Sequence, residues 1–244
     1  MKYLILLSIF ISSIFSSQID LGKWNQESFD TFLKKEKSIN EISASFLNTP
    51  YKANVLIGSY NKKEELVIDF VNLDCFTYID YVEAIKESKN YKEFKENLVK
   101  IRYKKSQITY ENRNHFFTDW ITQNGFKNIT SKLSQNSKKT TKYLNKKDDK
   151  NLYLKGININ KREFEYLEPQ FVDKNFLQKL KNGDYIGIYT NLKGLDVTHT
   201  GIIIKKDGKT FFRHASSKKS NRKVVDELFV DYVKKTPGIL VLRK

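Results

Sequence analysis

The sequence is poor in the residues that cross-link or coordinate: one cysteine and three histidines in 244 residues. A lone cysteine forms no internal disulfide, so the hydrophobic core must hold the fold even in an oxidising compartment. The scattered histidines and single cysteine also lack the close ligand pairs of metal sites, so neither a metal nor another cofactor is expected. The apolar run at residues 3–15 is short of the roughly 20 residues that span a bilayer. It follows Met1-Lys2 and precedes Ser16-Ser17. That order fits an export signal at residues 1–17, with an uncleaved anchor as the alternative. No cysteine stands near the run to carry a lipid, and no internal repeat is present.

Acidic residues are also outnumbered, 28 against 44 basic, for a net charge of +16. Such an excess attracts polyphosphate in general. Here, though, the lysines are spread along the whole chain among many asparagines and isoleucines, so no nucleic acid partner is expected. Weak contact with an anionic wall or membrane surface fits better. With 39% hydrophobic and 14% aromatic residues, residues 18–244 can build a core as a single domain, expected to be a monomer.

The cysteine has informative company. Asp74 is a good N-cap, and Ile79, Val82 and Ile85 follow at helical spacing, which predicts a helix with Cys75 in its first turn. Free backbone N–H groups and the helix dipole would there favour a nucleophilic thiolate. A buried, inert cysteine is the alternative.

Residues 24–48 read as two amphipathic lead-in helices, residues 65–71 as a strand, and residues 87–107 as another helix. The dense cluster at residues 110–120 is either core with salt bridges or a cleft wall, where Trp120 would stack on a ligand ring and Arg113 hold a carboxylate. Residues 131–160 are expected as a surface insertion, and a short helix is expected at 175–181. Four strands follow, at 184–190, 199–206, 209–214 and 238–243, with a helix or turn at 225–233. The class is α+β, with helices first and an antiparallel sheet last.

Asp207-Gly208 is a two-residue hairpin signal. It sets Lys206 opposite Lys209, Gly201 opposite His214, and His199 on the same face as His214. Diagonal neighbours there have Cβ atoms about 7 Å apart, close enough for the rings to share a hydrogen bond. Two of three histidines on one face, with a cysteine at a helix start, favour nucleophilic catalysis.

Leu73-Asp74-Cys75, Asp184 on its strand, His199-Thr200-Gly201-Ile202 and His214-Ala215-Ser216 resemble the NlpC-type cell-wall cysteine peptidases. Thr49-Pro50-Tyr51, residues 113–120, residues 194–199 and residues 238–243 resemble their N-acetylmuramoyl-L-alanine amidase-like branch. The resemblance implies a papain-like core with Cys75 as nucleophile, His199 as base and then acid, and His214 orienting it. It further implies substrate-binding roles for Tyr51, Asp74, Arg113, His115, Asp119, Trp120 and Asp196. A peptidoglycan or muropeptide substrate and a periplasmic or cell-envelope location follow from it. Phe76-Thr77-Tyr78 is bulkier than the wider superfamily's usual sequence after the cysteine, which leaves fine substrate choice open. A stem-peptide endopeptidase and a noncatalytic wall-binding module are the alternatives.

Overall fold

The computed structural model describes residues 17–244. Residues 1–16, nearly all of the expected signal segment, lie outside the described residues. In chain order the first elements are β1 (Ser17–Asp20), α1 (Gln26–Lys34), α2 (Ile39–Ala44), β2 (Ile57–Ser59), β3 (Lys62–Asp69), α3 (Cys75–Lys86), α4 (Tyr91–Arg102) and α5 (Phe117–Gln123). Then come β4 (Lys127–Asn128), α6 (Thr130–Leu133), β5 (Lys138–Leu144), β6 (Asn160–Tyr166), α7 (Lys174–Lys179), β7 (Tyr185–Tyr189) and β8 (Val197–Lys206). The chain closes with β9 (Lys209–Ala215), β10 (Val224–Leu228), α8 (Phe229–Val233) and β11 (Ile239–Arg243).

The class is α+β. The main sheet has the order β10-β9-β8-β7-β11-β4 and every neighbouring pair is antiparallel. A smaller sheet, β1-β3-β2, contains one parallel pair, and β5 with β6 forms a separate ribbon.

Strand alternation gives the main sheet two different faces. Tyr185, Ile202, Ile204 and Leu242 face a cluster that includes Tyr78, Ile79 and Val82 of α3. Ile186, Ile203, Phe212 and Val241 face the opposite way, toward Phe176 of α7 and Phe229 and Val233 of α8. Helix α3 is buried from Thr77 to Ile85, so it is a core helix rather than an amphipathic surface one. Its buried acids are therefore paired. Asp80 takes the Arg102 guanidinium at 2.8 Å, and Glu83 takes the Tyr185 hydroxyl at 2.9 Å and Lys244 Nζ at 2.6 Å. Stranding one such charge by deleting its partner costs about 3–5 kcal/mol.

Two expectations need correction. Residues 131–160 do not all run over the surface: Lys138 to Leu144 pair residue for residue with Asn160 to Tyr166, and Leu144 and Asn145 are fully buried. The Lys- and Asn-rich composition hid a strand whose Thr140, Thr141 and Tyr143 are good β formers. Residues 225–233 are not one helix or turn, because Val224 to Leu228 pair with Ala215 to Phe211 as β10 and only Phe229 to Val233 are helical.

Candidate active site

Helix α3 begins at Cys75. Asp74 adopts an extended backbone and its Oδ1 accepts from the N–H groups of Phe76 (3.0 Å) and Thr77 (2.7 Å), while Thr77 Oγ1 accepts from the Asp74 N–H at 3.0 Å. This reciprocal cap fixes where the helix starts and so where the sulfur sits. Two first-turn donors are thereby occupied. The Cys75 N–H has only its own sulfur as a partner among the described residues, and the hydroxyl of half-buried Tyr51 forms no hydrogen bond among them.

The histidines come from the hairpin. β8 and β9 pair in the register set by the two-residue turn, from Lys206↔Lys209 to Ile202↔Arg213. The ladder stops there although both strands continue, and His199 Nε2 meets His214 Nδ1 at 2.6 Å with the rings perpendicular. Gly201 sits between them in sequence for a steric reason. A Cβ on it would come within 2.5 Å of the Phe212 ring and 2.7 Å of the Arg213 carbonyl oxygen.

Thr200, the neighbour of His199, links the two halves: its Oγ1 donates to the Cys75 carbonyl at 2.8 Å. Burial raises the phenols of Tyr51 and Tyr232, with Cys75 next at Tyr51 and Glu227 and then Cys75 at Tyr232, which puts both phenols within electrostatic reach of the sulfur. Tyr232 stacks on His199 at 6.2 Å and meets His214 at 5.0 Å. Cys75, Tyr51, Thr200, Tyr232 and the histidine pair therefore share one neighbourhood.

Cys75 is only partly exposed at this helix start, and its surroundings oppose a thiolate. Burial pushes the Cys75 thiol up to about 12, the Asp74 carboxylate adds to the rise, and the backbone and hydroxyl of Thr200 offset only part of it. Burial likewise lowers His199 to about 3, with His214 and Lys218 lowering it further and Glu227 opposing. His214 falls to about 3 through burial and Lys218. At neutral pH these shifts leave Cys75 a thiol and both imidazoles uncharged.

Five of the residues expected in a substrate groove are engaged in structure instead. Trp120 is fully buried between Phe117, Phe126 and Tyr185, and its Nε1 donates to Asp80 at 3.0 Å. Arg113 pairs with buried Glu64 at 3.2 Å and donates to the Gly58 carbonyl at 3.1 Å. His115 donates Nε2–H to the Tyr110 carbonyl at 2.7 Å, and burial lowers it to about 4. Asp119 is held between Lys104 (3.1 Å) and Arg162 (2.5 Å). Asp196 is buried and accepts from the N–H (2.7 Å) and hydroxyl (2.8 Å) of Thr118, capping α5, whose own N-cap Phe116 has no side-chain acceptor. Aromatic and ionisable density at residues 110–120 is thus core with salt bridges. Tyr51 and Asp74 are the two that lie beside Cys75.

One member of the cluster is unforeseen: Glu227 Oε1 accepts from His214 Nε2 at 3.0 Å, and its Oε2 takes Lys218 Nζ at 2.6 Å. Reading residues 225–233 as a strand would have found it, because position 227 then shares a face with His214.

An α+β fold with a paired-histidine hairpin against a cysteine-bearing helix start is a hydrolase-like arrangement, and comparison with known proteins gives it a family. The chain belongs to the AmiA-like, N-acetylmuramoyl-L-alanine amidase-like family, whose model matches residues 41–239. A crystal structure of an N-acetylmuramoyl-L-alanine amidase from Bacteroides uniformis is similar at TM-score 0.72 and 28% identity, covering 85% of this chain and 99% of that one. A putative xylanase from Bacteroides fragilis is similar at TM-score 0.67 and 29% identity, covering 84% and 100%. A Legionella pneumophila protein shares the fold at TM-score 0.76 and 22% identity, covering 89% and 92%. No curated protein matches the chain.

Proposed function

We propose that this chain is an exported cysteine amidase that cleaves the bond between the lactyl group of muramic acid and the first L-alanine of the stem peptide in peptidoglycan fragments. The carrying observation is the His199–His214 hydrogen bond at 2.6 Å beside Thr200, whose hydroxyl binds the backbone of Cys75. His199 uses Nε2 on His214, so Nδ1 remains to accept a proton. As the Cys75 sulfur bonds to the carbonyl carbon, its proton passes to His199 Nδ1 and a tetrahedral oxyanion forms. The Cys75 N–H and the Tyr51 hydroxyl are the donors left to meet that oxyanion, since Asp74 occupies the Phe76 and Thr77 N–H groups. His199 then protonates the departing L-alanine nitrogen, and water hydrolyses the thioester, returning the proton to sulfur.

The family and the Bacteroides uniformis neighbour support a cell-wall substrate. A xylanase reading is less well supported, because glycosidases set two carboxylates across the bond and Asp74 already commits Oδ1 to its helix. An NlpC-type, papain-like arrangement fits the order helix, then histidine hairpin. Export rests on the apolar run at residues 3–15.

Mass spectrometry of a defined muropeptide digest, with the protein and with Cys75→Ala, tests the reading. Stem peptides with a free L-alanine amino group, made only by the unmodified protein, are expected. Shortened stems would mark an endopeptidase, binding without products would mark a noncatalytic module, and full activity in Cys75→Ala would end the cysteine mechanism.

A further inference from the structure

We propose that Glu227 is a positioning residue that sets the tautomers of both histidines, through a relay across three adjacent strands. β10, β9 and β8 lie side by side in the main sheet. Glu227 pairs with Phe212, and Val225 pairs with His214. Alternation therefore puts Glu227, His214 and His199 on one face, while Thr200, next to His199 near the start of β8, turns to the α3 side and meets the Cys75 backbone at the first residue of that helix.

The hydrogen bonds run in a line and, with both buried imidazoles uncharged, allow one assignment of protons. Glu227 is a carboxylate ion-paired with Lys218 at 2.6 Å, and its Oε1 receives His214 Nε2 at 3.0 Å and Asn221 Nδ2 at 3.3 Å. A carboxylate only accepts, so the His214 proton sits on Nε2 and its Nδ1 carries the lone pair. His214 Nδ1 faces His199 Nε2 at 2.6 Å, so His199 must be the donor there, with its own proton on Nε2. That leaves the lone pair of His199 on Nδ1, which is what a base for the Cys75 proton requires. Reversing the tautomer at His214 would reverse it at His199 and put a proton where the lone pair is needed.

The surroundings hold this line in place. Phe212 lies parallel to the His214 ring at 4.6 Å, Tyr232 covers both imidazoles, and Lys218 Nζ sits 4.3 Å over the Tyr232 ring. His214 is buried, and Glu227 is the one side chain that bonds its Nε2 among the described residues. When His199 takes the Cys75 proton, the cation is stabilised by the Glu227 charge through His214, and no proton moves to the carboxylate.

This inference rests on the amidase reading for its effect on rate, but its tautomer claim needs no substrate. The test combines imidazole nitrogen NMR at neutral pH with kinetics of Glu227→Gln and Glu227→Ala. In the unmodified protein, both histidines should be protonated at Nε2 and bare at Nδ1. In Glu227→Gln, Lys218 draws the amide oxygen to its side, the amide NH2 faces His214, and both rings should switch to Nδ1–H. The kcat should fall about a hundredfold for Gln and about tenfold for Ala, with KM within twofold; the losses are smaller than the ~10⁴ seen when the partner of a catalytic histidine is changed directly. The ordering, with the near-isosteric amide worse than alanine, is one that a purely structural role would not produce. His199 protonated at Nδ1 in the unmodified protein, or unchanged tautomers in both variants, overturns the proposal even if the enzyme proves to act on another bond. Should the amide variant fail to fold, the unmodified protein's spectrum and the alanine variant still decide it.

Discussion

Replacing Trp120 with phenylalanine distinguishes a core residue from the wall of a cleft. The indole is fully buried, parallel to Phe126 at 4.8 Å and edge-on to Tyr185 at 5.2 Å. Its Nε1–H is one of two side-chain donors to Asp80, the other being Arg102. Asp80 is itself raised, first by burial, so it tolerates the loss of a donor poorly. A hydrogen bond to a charged group contributes about 1.5–3 kcal/mol, and the smaller ring leaves a gap beside Phe126 costing about 1 kcal/mol more. The sum, about 3 kcal/mol, lowers Tm by about 6–12 °C in a domain of this size. Urea and thermal melts should show this fall, while kcat and KM on a defined muropeptide, assayed well below both transitions, stay within twofold. A KM raised tenfold with an unchanged melt would refute the core assignment and restore Trp120 to the substrate groove.

Alkylation of Cys75 by iodoacetamide should be slow at pH 8 and climb as pH rises toward about 12, where burial and Asp74 have pushed the thiol; Asp74→Asn should move that rise to lower pH, and a rise centred near 8.5 in the unmodified protein would contradict the assignment. Acid should destabilise the fold through its histidines. His199, His214 and His115 are lowered to about 3, 3 and 4, first by burial, so below the unfolded value near 6.5 the unfolded chain binds more protons than the native one. Stability is therefore full above about pH 6.5 and declines as pH falls toward the folded values, by at most about 1.4 kcal/mol per pH unit for each histidine. Denaturant midpoints at pH 7 and 5 check this: His214→Gln should flatten the slope, and an unchanged slope would count against a neutral buried His214.

What sequence could reveal here was whatever depended on short-range periodicity. The Asp74 cap and the apolar spacing after it placed the start of α3 at Cys75. The two-residue turn at Asp207-Gly208 fixed the β8–β9 register, because a strand's side-chain period of two leaves no freedom once the turn is set. What stayed hidden depended on neighbours distant in the chain. Nothing local says that Trp120 reaches Asp80 or that Asp196 caps a helix 78 residues away, and an aromatic, charged segment reads equally well as core or cleft. β10 was missed because Val225, Leu228, Phe229 and Val233 fit a helical spacing, and with it went Glu227.

The thiol shows the same limit in its electrostatics. The helix-start argument counts free N–H groups and a dipole, both of which favour charge on sulfur. It omits that the residue best suited to start the helix is an aspartate, which occupies two of those N–H groups and places a negative charge next to the sulfur. Burial then acts in the same direction. A resting thiol is poorly nucleophilic and correspondingly slow to oxidise, since oxidation follows thiolate character. On the proposed mechanism, reactivity is created at the moment of attack, by moving the proton to His199, and so depends on which ring nitrogen is bare. By that mechanism a carboxylate two strands away, Glu227 on β10, would govern the rate of a reaction whose nucleophile begins α3.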